Sequence, residues 1–206
     1  MARKKNIPSA PPTHFNTTAR ILHWLMAAMI LAMIFVGLGM MTSLTWRPWL
    51  LDLHMPIGIA ILLLVIIRFI NRLSFSVPKM PASISNFQST AAGTLHWLLY
   101  AMMLALPLTG WAQLSAGGFL VKLFPGINLP SILQQSPFLY ALLHDAHRVM
   151  AWLLFLMVVG HLSAALLHAW AYRDGLFSSI TWGKKMINRS EEHFKKSDSL
   201  RENCKK

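Results

Sequence analysis

Acidic residues and cysteine are scarce in this chain, and each scarcity removes a class of chemistry. The 206 residues hold 7 Asp and Glu against 19 Lys and Arg, for a formal charge of +12. The single cysteine, Cys204, sits in a polar tail. One thiol builds no disulfide framework, no CxxC metal site and no CxxCH attachment for covalent haem. Charged residues make up only 13% of the chain and hydrophobic ones 55%. That balance fits an integral membrane protein of one small domain, not a soluble one. The basic residues crowd at the two ends and in one middle loop, so their excess reads as membrane topology and not as nucleic-acid affinity. No small-residue cleavage signal follows the first apolar run, which is therefore expected to be a retained helix and not a signal peptide.

Four apolar runs are present, at about 21–41, 50–70, 93–114 and from 142 to 172. Each is long enough to cross a hydrocarbon core roughly 30 Å thick as a helix. With short connections, the expected fold is all-α, an integral membrane antiparallel four-helix bundle. Residues 1–19 read as a polar lead, 20–175 as the bundle, and 176–206 as a basic tail with a short amphipathic piece near 176–187. The lead, the loop at 71–89 and the tail hold nearly all Lys and Arg, while the other two connections hold Arg47, Lys122 and Arg148. The positive-inside rule then places both termini in the cytoplasm. Segment 116–140, broken by Gly117, Gly118, Pro125, Pro130 and Pro137, is expected to be irregular or short-helical on the outer surface.

Histidine is what the apolar runs carry instead of acids. The last run holds His144, His147, His161 and His168, and an imidazole within a membrane-length segment is a functional candidate. His147 and His161 are 14 residues apart, which puts them about 21 Å apart on nearly one helix face. With alternating helix directions, His54 opens the second run level with His147, and His23 opens the first run level with His161. Paired imidazoles at two depths, between apolar walls, suit two b-type haems held from both sides. Arg68 lies 14 residues after His54; it is either a boundary residue snorkelling outward or the partner of a buried anion such as a haem propionate. His168, seven residues after His161, could replace it as the lower ligand or face a substrate at the cytoplasmic interface. Gly37, Gly58 and Gly160 fit helix packing or room for a flat cofactor. Pro107, Thr109 and Gly110 predict a bend in the third helix with space beside Gly110. His96 and Trp97 repeat the pair His23 and Trp24, in which the tryptophan reads as an interfacial anchor. The competing reading is a transporter with histidines as proton or metal relays. A zinc or iron site would normally add acidic or thiolate ligands, and only Asp52 and Asp145 lie near the membrane, both at the outer rim.

Four pieces carry a family resemblance: ILHW at His23, LHMPIG at His54, HWLLYAMMLALPLTGW from His96 to Trp111, and HRVMAWLLFLMVVGHLSAALLH from His147 to His168. Together, over about residues 15–175, they resemble the bacterial cytochrome b561 family, small four-helix dihaem proteins of the inner membrane. The resemblance implies ligation of two haem b groups by His54 with His147 and by His23 with His161. It also implies electron exchange between a periplasmic donor or acceptor and the quinone pool, ubiquinone or menaquinone. The best-described activity of the family is oxidation of superoxide outside with reduction of ubiquinone near the cytoplasmic haem. His168 is similar in position to a histidine at the quinone site, and Lys79 to a loop lysine there. The alternative is a non-enzymatic electron-transfer subunit serving a periplasmic partner protein. This chain departs from the family pattern in its longer basic tail and its apolar outer segment at 119–139. Attraction of an anion such as superoxide calls for positive potential, and Arg47, Lys122 and Arg148 stand there against Asp52 and Asp145.

Overall fold

A computed structural model describes residues 15–75, 85–172 and 176–181. Its frame is four long helices, α1 (Thr17–Thr42), α2 (Arg47–Ser74), α3 (Asn86–Ala116) and α4 (Pro137–Leu167). A π-helical turn, His168–Tyr172, extends α4, and a six-residue helix α5 (Leu176–Thr181) follows. All four long helices have the length and apolarity of membrane spans. Most of their apolar surface faces outward, and α4 has no buried residue at all. Such exposure is untenable in water but ordinary where lipid is the solvent. The fold is therefore the expected all-α membrane bundle.

The helices begin three to seven residues before the apolar runs do. Polar caps explain the extension of α1, α3 and α4, and α2 starts instead with Pro48 in its first turn. The Asn16 side chain accepts from the Ala19 amide, Ser85 and Gln88 form a capping box, and Ser136 accepts from the Leu139 amide with Pro137 at the first turn. Pro107 lies inside α3 without ending it.

Side-chain meetings fix the antiparallel order. At the end where α1 begins, here called proximal, His23 of α1 meets Arg68 of α2 and His161 of α4. At the distal end, His54 of α2 meets His147 of α4, and Gly110 of α3 abuts the same ring. The core joins Met26 and Ile30 of α1, Ile61 and Val65 of α2, and Leu99, Tyr100 and Met103 of α3. From α4, only partly buried Leu154, Met157 and Val158 pack onto it. The closest pairings are α1 with α2 and α3 with α4; α4 has no comparable packing on α1 or α2. It faces those two helices across the interior.

Segment 116–140 differs from expectation: it contains a β-hairpin, β1 (Val121–Phe124) paired antiparallel with β2 (Ile127–Leu129). Gly126 turns the chain with φ +82°, a conformation open mainly to glycine. Val121 is buried and β1 packs on α2. The segment is tied down by tertiary hydrogen bonds: Trp111 Nε1 to the Pro130 carbonyl (3.0 Å), the Ile132 amide to Ser115 Oγ (3.2 Å) and the Ser136 amide to the Ala116 carbonyl (2.9 Å). At the proximal end, Arg20 donates to the Thr181 carbonyl (2.9 Å) and Trp24 to the Ile180 carbonyl (3.3 Å), so α5 docks on the start of α1. Residues 1–14, most of the basic tail and the loop carrying Lys79 lie outside the described residues.

Candidate functional site

Two facing imidazole pairs lie inside the bundle. The ring centres of His23 and His161 are 6.3 Å apart at 65°, and those of His54 and His147 are 6.3 Å apart at 66°. The equality has a chemical meaning. An imidazole nitrogen binds a transition metal at about 2.0 Å and lies about 1.1 Å from its ring centre, so two trans imidazoles on one iron hold their centres roughly 6.2 Å apart. Each pair bridges helices that do not otherwise pack closely, α1 with α4 and α2 with α4. Nothing lies within 4 Å of a Cβ built on Gly37 or Gly160.

The distal pair has distinct supports. Thr109 Oγ1 donates to the Leu106 carbonyl at 2.8 Å and lies 3.3 Å from His147 Nδ1. Its hydrogen being spent, the hydroxyl accepts from His147, which leaves the lone pair on Nε2. That is the usual tautomer of a metal-binding histidine. Opposite it, His54 Nδ1 is buried with no hydrogen-bond partner. Burying such a nitrogen unsatisfied costs about 1–3 kcal/mol, so the ring fits a partner that is not a protein atom. A Cβ on Gly110 would come 3.3 Å from His147 Cε1. The room beside Gly110 is thus taken by His147 itself, where the sequence suggested space for a cofactor.

The proximal pair is more crowded. Arg68 Nη2 lies 2.9 Å from His23 Nδ1, its Nε donates to Tyr100 Oη at 3.1 Å, and its Nη1 lies 3.7 Å from Met26 Sδ. Arg68 thus turns into the bundle and does not snorkel outward. A guanidinium only donates, so His23 Nδ1 accepts and the ring proton is on Nε2. Binding a metal through Nε2 would move that proton to Nδ1 and turn Arg68 towards another acceptor, a role that an anionic propionate would fill. Arg72 lies 5.7 Å from the Trp97 and Tyr100 ring centres. With that one exchange the side chains present fit two bis-imidazole haem sites.

A third imidazole, His96, which the sequence reading does not include, stands beside the proximal pair. Its ring centre is 5.4 Å from that of His161, closer than His23 is, and its Nδ1 is 2.7 Å from the Ala92 carbonyl. The signal was available, since α3 enters from the same end as α1 and the His-Trp pair repeats. His168 opens the π-helical turn, seven residues beyond His161; π turns re-aim side chains and often mark functional sites. Lys79 falls outside the described residues. At the distal rim, Gln113 donates to His144 Nδ1 at 3.0 Å, Tyr140 stacks on His144, and Arg148 pairs with Asp145 at 3.1 Å. That ion pair leaves little cationic field from Arg148. Among the described residues, no three His, Cys, Asp or Glu gather round a bare metal ion.

Comparison with known proteins gives the family. The family model described as prokaryotic cytochrome b561 matches residues 14–183. A probable superoxide oxidase CybB of Yersinia pestis is 29% identical over 154 residues, 74% of this chain and 87% of the relative. Two Escherichia coli proteins are also similar. Cytochrome b561 homolog 2 is 26% identical over 190 residues, 89% of this chain and 96% of its own length. Cytochrome b561 homolog 1 is 28% identical over 167 residues, covering 78% and 92%. The chain belongs to the prokaryotic cytochrome b561 family, multi-pass bacterial membrane proteins that bind haem b and transfer electrons.

Proposed function

We propose that this protein moves electrons across the bacterial inner membrane through two haem b groups, one at each imidazole level, in exchange with the quinone pool. The observation that carries the reading is the pair of equal 6.3 Å imidazole separations on facing helices. Bound haem supplies a reversible one-electron change at its iron. The chain's own residues do the rest. His23 with His161, and His54 with His147, hold the two irons, and two neutral imidazoles on each favour electron transfer over oxygen activation. Arg68 neutralises a propionate. Met157, Leu154 and the core around Met26 and Val65 keep water out of the interval between the levels. His168 and Lys79 serve a ubiquinone or menaquinone at the proximal end, which the cation distribution puts in the cytoplasm together with both termini.

The donor is read as superoxide. The Yersinia relative named a probable superoxide oxidase supports this. Two superoxide anions lose one electron each to become dioxygen, and one quinone takes both electrons with two protons to become quinol. The second reading, an electron-transfer subunit for a periplasmic protein, is favoured by the distal face. There Arg148 is paired with Asp145, while Phe124, Ile127 and Phe138 are exposed.

Haem content per chain and the reduced-minus-oxidised spectrum test the reading. Two b-type haems per chain are expected, and a folded, pigment-free protein would end it in favour of a histidine-lined transporter. Stopped-flow mixing with superoxide then separates the donors: direct haem reduction supports the oxidase, and reduction only with a partner protein supports the subunit.

A further inference from the structure

We propose that α3 stands behind both of the α4 imidazoles, with His96 as the positioning residue for His161 just as Thr109 is for His147. The inference rests on the haem reading above. Thr109 and His96 are 13 residues apart on α3, and His147 and His161 are 14 apart on the antiparallel α4. At 1.5 Å per residue the two steps agree to within about 1.5 Å. Each support therefore lies level with its own ring.

His96 has the chemistry the role needs. The Ala92 carbonyl can only accept, so the 2.7 Å contact fixes the hydrogen on His96 Nδ1. The neutral ring then presents Nε2 as an acceptor. The ring stands edge-on to His161, 78° apart with centres separated by 5.4 Å. With both nitrogens turned onto the line between the centres, about 1.1 Å from each, they would stand roughly 3.2 Å apart, the outer edge of a hydrogen bond, so a rotation of the rings closes a contact that is ring-to-ring here. Among the described residues the His161 imidazole has ring contacts with His23 and His96 and no side-chain hydrogen bond. A metal-binding imidazole nearly always donates its second N–H to an acceptor, which fixes its orientation and raises its basicity. His96 Nε2 is that acceptor for His161. Ala92 holds it from one turn back on the same helix, and Trp97 and Tyr100, packed under Arg72, hold that helix in register.

The test uses the purified full-length protein with His96→Leu and His96→Gln. A more basic imidazole favours ferric iron, so removing the acceptor raises the midpoint potential of one haem and leaves the other in place. In the Leu variant both haems are retained, but one transfers to apomyoglobin about tenfold faster or more. The Gln variant, which keeps an acceptor, moves both readings back towards wild type. Potentials and transfer rates unchanged in the Leu variant overturn the proposal. So does complete loss of one haem in both variants, which would make His96 a ligand. His96→Phe keeps a planar ring without an acceptor and decides in the same way should the Leu variant fail to accumulate. Wild-type protein without b-type bands would instead end the haem reading itself, before any substitution is made.

Discussion

Arg68 of α2 reaches His23 of α1 at 2.9 Å and Tyr100 of α3 at 3.1 Å, so one guanidinium joins three helices beside the proximal imidazole pair. Arg68→Met removes the donor and the charge together. Hydrogen bonds to charged groups contribute about 1.5–3 kcal/mol. The proximal haem is therefore expected to be retained roughly 10- to 100-fold more weakly, with the distal haem unaffected. Haem stoichiometry after detergent exchange checks this, and equal loss of both haems would show that Arg68 serves the bundle as a whole.

His147 and His161 share one helix but belong to different levels. His147→Ala is expected to remove the distal haem and spare most of the proximal one; His161→Ala does the reverse. The content falls from two haems to one in each case, and the surviving haem differs in potential. Loss of the same haem in both variants would contradict two levels.

Gly110 has no room to spare. A methyl group there meets His147 Cε1 at 3.3 Å, so the ring must give by a few tenths of an ångström. Gly110→Ala is expected to shift the distal haem spectrum while keeping two haems. Gly110→Val, with more volume at the same place and a cost of about 1–3 kcal/mol in overpacking, is expected to lose the distal haem. Redox titration of both variants reads the difference.

His168 stands where α4 changes from α to π geometry. His168→Ala is expected to keep both haems and their spectra while slowing quinone-dependent reoxidation by roughly 100-fold, the lower range for a lost proton donor. Loss of a haem in this variant would make His168 a ligand instead.

The positions of the four paired imidazoles were legible because a membrane helix obeys two rigid numbers, its rise and its residues per turn. The step from His147 to His161 sets a depth, and the alternating spans bring His54 and His23 to the same depths. Other features depended on contacts that no period records. The hairpin at Val121–Phe124 and Ile127–Leu129 is too short to announce itself in a stretch full of Gly and Pro, and it is held by Trp111 and Ser115 on another element. Gly110 reads as empty space until the neighbour that fills it is known. His96 reads as a copy of His23 because the His-Trp pair repeats, and the carbonyl that sets its tautomer shows only in the structure.

A single rod, α4, carries one ring of each pair, and its winding sets their common aim. One alanine inserted between Leu154 and Phe155 would swing the later ring about 100° and slide it about 1.5 Å relative to the earlier one. Substitutions on the lipid side of that rod change little, whereas any change in the number of residues between its two rings breaks their common aim. The length of this stretch is a stricter requirement on the gene than nearly all of the side chains along it.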